Sequence, residues 1–198
     1  MIRSHTLRKR DLYLDKLIAF QDTEPIKVVT GIRRCGKSSL LKLMAAHLRG
    51  NGVSDEQIIE MNFESYEFLK MTADELYRYV KERVLPDRRI YLFFDELQRM
   101  DGWENAVNSF RVDFDCDIYI TGSNAKLLSG ELATYLAGRY VEFVIYPFSF
   151  DEFIQLYRTI FPDADVRTCF NRYLTAGGMP YLANLRYEET ACRQYLQD

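Results

Sequence analysis

The sequence predicts an α/β fold in which a parallel sheet is covered by helices on both faces. Short segments rich in apolar and β-branched residues alternate along the chain with longer segments that carry apolar residues at helical spacing. This order of elements is typical of parallel sheets. In addition, the segment from Ile90 to Phe94 is apolar at every position, as expected for a strand that is buried on both faces.

The individual elements are predicted in order from hydrophobic periodicity and from glycine and proline breaks. Leucines at helical spacing indicate a first helix or tight arm over 6–20, which ends before Pro25. Strands are predicted at 26–30, 58–63, 89–95, 117–121 and 140–146. Helices are predicted at 38–49, 73–84, 103–114, 127–136, 151–158 and 167–176. No closing element is predicted after 181.

Three regions follow from this pattern. Residues 1–24 are predicted to form an N-terminal helical arm, residues 25–148 the α/β core, and residues 149–198 a short helical appendage. The change in pattern after 148, where strands no longer alternate with helices, marks the second boundary.

Composition excludes several classes of protein. With 47% hydrophobic and 28% charged residues the chain is globular rather than disordered. Its net charge of −3 argues against a surface that binds nucleic acid throughout, although a local basic patch remains open. The four cysteines have no metal-ligand spacing. Neither a signal peptide nor an 18-residue apolar run is found, so a cytoplasmic protein with no membrane contact is expected.

One loop carries the strongest chemical signal. Residues 31–38, Gly-Ile-Arg-Arg-Cys-Gly-Lys-Ser, fit the pattern G-x-x-x-x-G-K-[ST] and lie between a predicted strand and a predicted helix. Glycines allow backbone N–H groups to surround phosphate oxygens, and the helix dipole favours the same anion. Lys37 can reach the β- and γ-phosphates, and the Ser38 hydroxyl can bind Mg²⁺. The alternative is a glycine-rich turn before a helix. The predicted nucleotide-binding residues are Gly31, Ile32, Arg33, Arg34, Cys35, Gly36, Lys37, Ser38 and Ser39.

A pair of acidic residues ends the apolar strand. Asp95 is predicted to hold Mg²⁺ together with Ser38, because the strand end lies near the metal. Glu96 is predicted to orient or deprotonate the attacking water. The alternative is that Asp95 caps the next helix and that Glu96 is a solvated acid in its first turn.

Residues in two further segments are candidates for contacts with the γ-phosphate. At the end of the fourth strand, Asn124 or Ser123, with Thr121 third, is a candidate sensor, against the alternative of a turn and a helix cap. Arg139, just before the fifth strand, is a candidate arginine finger acting in cis or from a neighbouring subunit, against the alternative of a structural arginine.

An ordered set of motifs resembles a known family. In addition to residues 31–38, the set comprises Phe-Phe-Asp-Glu-Leu-Gln at 93–98, Ile-Thr-Gly-Ser-Asn at 120–124, Leu-Ala-Gly-Arg-Tyr at 136–140, Tyr-Pro-Phe-Ser-Phe-Asp-Glu-Phe at 146–153 and Gly-Gly-Met-Pro at 177–180. The chain is similar, from about Leu7 to Tyr181, to prokaryotic AAA+-type ATP-binding proteins related to the archaeal ATPases.

The resemblance implies a P-loop NTPase fold of the ASCE type, with strand order 5-1-4-3-2. It implies ATP and Mg²⁺ as ligands and assigns Lys37, Ser38, Asp95 and Glu96 their usual roles, with Asn124 as sensor and Arg139 as finger. Family members usually continue into a winged-helix-like region and a further domain, so residues 149–198 are expected to be the start of a truncated lid or winged-helix region.

Two function classes follow. The first is an ATPase module that couples hydrolysis to a conformational switch or to the remodelling of a partner. The second is a nucleotide-binding regulatory module, or a DNA-associated module, with little intrinsic turnover. A protein partner and self-association are both compatible with the sequence. Basic residues between Arg3 and Arg10 motivate the DNA-associated alternative, but such a cluster is usually solvated.

Overall fold

The structure is a computed structural model that describes residues 10–122 and 138–197. Its strands are β1 (Ile26–Gly31), β2 (Ile58–Asn62), β3 (Ile90–Asp95), β4 (Cys116–Thr121) and β5 (Tyr140–Ile145). Its helices are α1 (Asp11–Ile18), α2 (Lys37–Gly50), α3 (Ala73–Lys81), α4 (Trp103–Asp113), α5 (Phe150–Ile160), α6 (Val166–Ala176) and α7 (Glu189–Gln197). Short 3₁₀ turns occur at Asp55–Gln57, Leu97–Arg99 and Pro180–Ala183. The helix predicted at 127–136 lies outside the described residues.

The five strands form one sheet with the order β2-β3-β4-β1-β5. The pairs β2–β3, β3–β4 and β1–β4 are parallel. The predicted order 5-1-4-3-2 is therefore confirmed, since it is the same order counted from the other edge. Every residue of β1 and of β3 is buried, as expected for strands covered by helices on both faces.

The chain divides into two compact units. The first comprises Met1–Gly31 and Lys37–Val144, and the second comprises Ile32–Gly36 and Ile145–Asp198. Helix α1 belongs to the first unit, where it contacts α2 and buries Leu14 and Leu17. Five residues of the glycine-rich loop group with the C-terminal helices, although the sequence pattern predicts the whole loop within the core.

One hydrophobic cluster of the first unit lies between the sheet, α3 and α4. Leu92 and Phe94 of β3 are fully buried there, together with Phe110 of α4. The ring of Tyr77 from α3 stacks on Phe110 with centroids 6.0 Å apart. A capping box of Thr72 and Glu75 begins α3 and satisfies backbone N–H groups that the start of a helix leaves unpaired.

Aromatic rings fill the second unit. Phe153 of α5 contacts the rings of Tyr157, Tyr173 and Tyr187 at centroid distances of 5.3, 5.2 and 5.2 Å. Ser149 and Glu152 form a capping box at the start of α5. No individual element was predicted after 181, and the structure has α7 there, within the region 149–198 that was predicted to be a helical appendage. Among the described residues, no helix is both long and apolar enough to cross a membrane.

Helix α7 has a weak sequence signal. Its single buried residue is Cys192, so it lacks the apolar stripe that periodicity detects. The Glu188 carboxylate accepts hydrogen bonds from the backbone N–H groups of Thr190 and Ala191, at 3.0 and 2.7 Å. These bonds satisfy two of the donors that a helix start leaves unpaired. Glutamate is not among the preferred capping residues, and the start was therefore missed.

A Gly178→Ala substitution is expected to destabilise the second unit by about 1–3 kcal/mol, because an added Cβ would overlap the carbonyl oxygen of Phe148. The same two residues are joined by a 2.7 Å hydrogen bond from the Phe148 N–H to the Gly178 oxygen. Urea unfolding followed by tyrosine fluorescence measures the effect. The matched control is Gly50→Ala in α2, where no atom lies within 4 Å of the added methyl. Equal stability of the two variants would contradict the prediction.

Candidate functional site

Three parallel strands bring their carboxyl ends to one edge of the sheet. In the register of the sheet, Val29 of β1 aligns with Thr121 of β4, and Phe94 of β3 aligns with Ile120. The residues that end these strands, Gly31, Asp95 and Thr121, therefore lie at the same edge. Ligands of parallel α/β sheets bind at this edge.

The loop after β1 has the backbone conformation that its glycines predict. Gly31 and Gly36 have φ angles of 145° and 108°, a region that residues with a Cβ rarely adopt. Helix α2 begins directly after this loop, at Lys37. The N-terminal end of a helix thus faces the edge of the sheet, where its unpaired N–H groups favour an anion.

Lys37 is buried, with 5% of its surface exposed. Its Nζ donates a 3.1 Å hydrogen bond to the carbonyl oxygen of Gly31 and lies 3.9 Å from Oε1 of Glu96. Burial of a lysine is unusual unless the ammonium group is paired. The structure thus places a positive charge between the carbonyl group of Gly31 and the carboxylate of Glu96.

Ser38 and Asp95 lie in direct contact. The Ser38 hydroxyl donates a 3.0 Å hydrogen bond to Oδ1 of Asp95, and the Thr121 hydroxyl donates a 2.5 Å bond to the same oxygen. Asp95 is buried, with 9% exposure. A hydroxyl beside a carboxylate is the donor set expected for Mg²⁺ bound by one or two protein ligands, so the residues present fit the predicted metal.

Glu96 follows Asp95 in a left-handed backbone conformation, with φ 57° and ψ 39°. Its N–H donates to the Thr121 hydroxyl at 3.0 Å, and its carbonyl accepts from the Arg99 N–H at 3.1 Å. Non-glycine residues in this region cost about 1–3 kcal/mol, and such strain often accompanies function. The structure brings Glu96 close to Lys37. No side-chain hydrogen bond caps the 3₁₀ turn that follows, so the alternative in which Asp95 or Glu96 serves as a helix cap is not supported.

The middle of the loop, Ile32–Gly36, belongs to the second compact unit. The Arg34 guanidinium lies over the ring of Tyr195 in α7, 4.5 Å from its centroid, and Arg34 has a φ of 67°. Ile32 and Arg33 are exposed, whereas Cys35 is buried. None of the four cysteines forms a disulfide. Ser39, in the first turn of α2, is exposed.

Arg139 lies away from this edge of the sheet. Its carbonyl oxygen accepts a 2.9 Å hydrogen bond from the N–H of Ile26, the first residue of β1. The glycine-rich loop begins at the other end of β1, five residues or roughly 16 Å further along at the usual rise of a strand. The in-cis alternative therefore does not fit, and the alternative of a neighbouring subunit stays a prediction.

The candidate sensors divide into two groups. Ser123 and Asn124 lie outside the described residues. Thr121 is fully buried, and its hydroxyl donates a hydrogen bond to Asp95. The same hydroxyl oxygen accepts a hydrogen bond from the N–H of Glu96, so Thr121 orients both acidic residues. Sequence reasoning missed this role of Thr121, and it also missed Gln98, whose Nε2 donates a 2.6 Å hydrogen bond to Oε2 of Glu96. The position of Gln98 two residues after Glu96 was the available signal.

Comparison with known proteins identifies relatives of the whole α/β region. A family model described as "AAA domain" matches residues 23–154. An uncharacterized protein of Haemophilus influenzae is 42% identical over 179 residues, which cover 89% of this chain and 45% of that protein. An uncharacterized protein of Methanocaldococcus jannaschii is 34% identical over 164 residues, covering 78% and 35%. The chain thus spans less than half the length of these relatives.

Solved structures with the same fold share little sequence. The Thermotoga maritima RuvB Holliday junction branch migration motor superposes with a TM-score of 0.58 at 16% identity, covering 94% of this chain and 61% of that one. PCH-2 of C. elegans superposes with a TM-score of 0.61 at 14% identity, covering 89% and 59%. These similarities support the fold alone.

Proposed function

Because the chain belongs to the AAA domain family of P-loop ATPases, we propose that it binds ATP with Mg²⁺ at the carboxyl edge of the sheet and hydrolyses it. The observation that carries this proposal is the cluster formed by Lys37, Ser38, Asp95 and Glu96. A buried cation, a hydroxyl–carboxylate pair and a second carboxylate are the groups that phosphoryl transfer to water requires.

Lys37 would act on the phosphate groups of ATP. Its ammonium group already lies at the carboxyl end of β1, where it bonds to the Gly31 oxygen. A phosphate oxygen is a stronger partner for an ammonium group than a carbonyl, because the bond joins two opposite charges. The backbone N–H groups between Gly31 and Ser39 would supply further donors.

Ser38 and Asp95 would hold Mg²⁺, which shields the negative charge of the phosphates. Thr121 keeps Asp95 in place through its 2.5 Å hydrogen bond. Glu96 would accept the proton of the attacking water. Asn124, with Ser123 as the second candidate, remains the proposed sensor of the γ-phosphate.

A direct experiment separates the two function classes. ATP binding is measured by equilibrium titration, with and without Mg²⁺, and phosphate release is measured over a wide range of protein concentrations. Mg²⁺-dependent binding together with phosphate release would support the ATPase. Binding without phosphate release at any concentration would favour the regulatory alternative, and absence of binding would contradict both.

Arg139 would complete the site of a neighbouring copy. It is exposed and lies at the amino-terminal edge of the sheet, whereas the proposed phosphate site lies at the carboxyl edge. An arginine that stabilises the transition state can be supplied in trans. Hydrolysis would then require self-association, and the energy would be available for a conformational switch or for remodelling a partner.

Two inactive variants are expected to restore each other if Arg139 acts in trans. Arg139→Ala lacks the finger and Glu96→Gln lacks the base, so each variant alone should release phosphate at least about a hundredfold more slowly than wild type. In a mixture, a site with an intact Glu96 can receive Arg139 from its neighbour. Phosphate release from the equimolar mixture measures this. A mixture as inactive as its components would exclude the in-trans finger.

A further inference from the structure

The side chain of Gln98 contacts the proposed base. Its Nε2 donates a 2.6 Å hydrogen bond to Oε2 of Glu96. The other carboxylate oxygen, Oε1, lies 3.9 Å from Nζ of Lys37. The two oxygens of Glu96 are therefore divided between a neutral amide and the cation that marks the proposed phosphate position.

The backbone of this turn is held by other contacts. The Thr121 hydroxyl accepts the N–H of Glu96, and the Glu96 carbonyl accepts the N–H of Arg99. The turn thus has its own hydrogen bonds on both sides of Glu96. What the Gln98 amide adds is a constraint on the carboxylate, which otherwise rotates about three side-chain bonds.

We infer that Gln98 is a positioning residue for ATP hydrolysis, holding the Glu96 carboxylate so that its second oxygen faces the site marked by Lys37. A base must lie within hydrogen-bond reach of the proton that it removes, and small displacements of reacting groups lower rates strongly. The inference rests on the proposed function, since it assigns a residue to the same hydrolytic step.

The amide also has spare acceptor capacity. Oε1 of Gln98 is buried and has no hydrogen-bond partner among the described residues. An amide oxygen can accept two hydrogen bonds, so this atom keeps unused acceptor capacity while Nε2 holds Glu96.

The test compares Gln98→Leu and Gln98→Asn with wild type. Leucine keeps the approximate size of the side chain but removes the donor, and asparagine keeps the amide on a shorter stem. Gln98→Leu is expected to lower kcat about tenfold, equivalent to about 1.4 kcal/mol, with the KM for ATP and the ATP affinity changed less than twofold. Gln98→Asn is expected to recover part of the lost kcat.

Arg99→Gln is the matched control. It changes the next residue, whose side chain is 46% exposed and forms an ion pair with Glu64 at 2.9 Å. This variant is expected to leave kcat unchanged. The unfolding temperature of each variant reports whether it is folded. If Gln98→Leu keeps the wild-type kcat while Glu96→Gln is inactive, the inference about Gln98 is overturned and the proposed function is not.

Two other results would also overturn it. An equal loss of ATP affinity and kcat in Gln98→Leu would indicate a structural role for the amide. An absence of hydrolysis by the wild-type protein at every concentration would overturn the proposed function and the inference together. The wild-type assay therefore distinguishes failure of the proposed function from failure of the positioning role.

Discussion

A chain carrying Glu96→Gln is expected to bind Mg-ATP with the affinity of the wild-type protein and to release phosphate about 10²–10⁴-fold more slowly. This is the range by which a positioned general base accelerates proton transfer. Glutamine has nearly the same shape and still offers an oxygen acceptor to the Gln98 amide, which lies 2.6 Å from Oε2 of Glu96. It cannot take a proton from water at neutral pH, because an amide is not a base in this range.

Two measurements are needed for this variant. Equilibrium titration with a fluorescent ATP analogue reports binding, and single-turnover phosphate release reports the chemical step. Glu60→Gln is the control, since Glu60 lies on β2 with an exposed side chain that pairs with Arg49 at 2.6 Å. It should match wild type in both measurements. Undiminished phosphate release by Glu96→Gln would remove Glu96 from the role of base.

Much of the fold could be predicted because its strands are chemically distinctive. The buried strand β3 begins with a continuous apolar run, and β1 is rich in β-branched residues apart from Lys27. Their predicted bounds differ from the observed bounds by one residue at most. The order of the strands could not be derived from these runs, since periodicity carries no information about which strand lies beside which. That order came from the family resemblance and is confirmed by the sheet.

The site could be predicted in part for a similar reason. Lys37 and Ser38 belong to a contiguous pattern, and Asp95 with Glu96 ends an apolar strand, so both signals are local in sequence. The contact between Thr121 and Asp95 joins residues that lie 26 positions apart. Only the parallel pairing of β3 with β4 brings them together.

The position of Arg139 was accessible to sequence reasoning. A residue that immediately precedes a parallel strand lies at the amino-terminal edge of the sheet, whereas the glycine-rich loop follows its strand and lies at the opposite edge. Applied to β5 and β1, this rule by itself disfavours a finger in cis. The hydrogen bond from Ile26 to Arg139 makes the same point geometrically.

Breaking the ion pair between Lys27 and Asp117 is expected to cost about 3–5 kcal/mol of unfolding free energy, because the remaining charge would stay buried without its partner. Lys27 Nζ lies 2.5 Å from Oδ1 of Asp117, and both side chains are fully buried. Lys27 also donates to the Thr23 carbonyl at 2.7 Å. A loss of this size is a large part of the roughly 5–15 kcal/mol that typical domains have.

The surroundings of this pair explain why removing one partner is costly. Oδ2 of Asp117 accepts hydrogen bonds from the Tyr119 hydroxyl at 2.9 Å and from the Asp22 N–H at 2.8 Å. Burial lowers the pKa of Lys27, while the charge of Asp117 opposes this shift. Burial and the Asp117 charge both raise the pKa of the Tyr119 hydroxyl, which therefore stays a donor. The network is satisfied only when all its members are present.

A double-mutant cycle measures the coupling within the pair. Lys27→Met and Asp117→Asn are each compared with the double variant by urea unfolding. The double variant is expected to lose at least about 1 kcal/mol less than the sum of the two single losses, because it leaves neither charge buried alone. Arg193→Met is the control, since its ion pair with Glu189 joins side chains that are 75% and 66% exposed, and such pairs contribute little. Additive losses, or single losses as small as that of the control, would mean that β1 and β4 are held together without an energetic contribution from their buried charges.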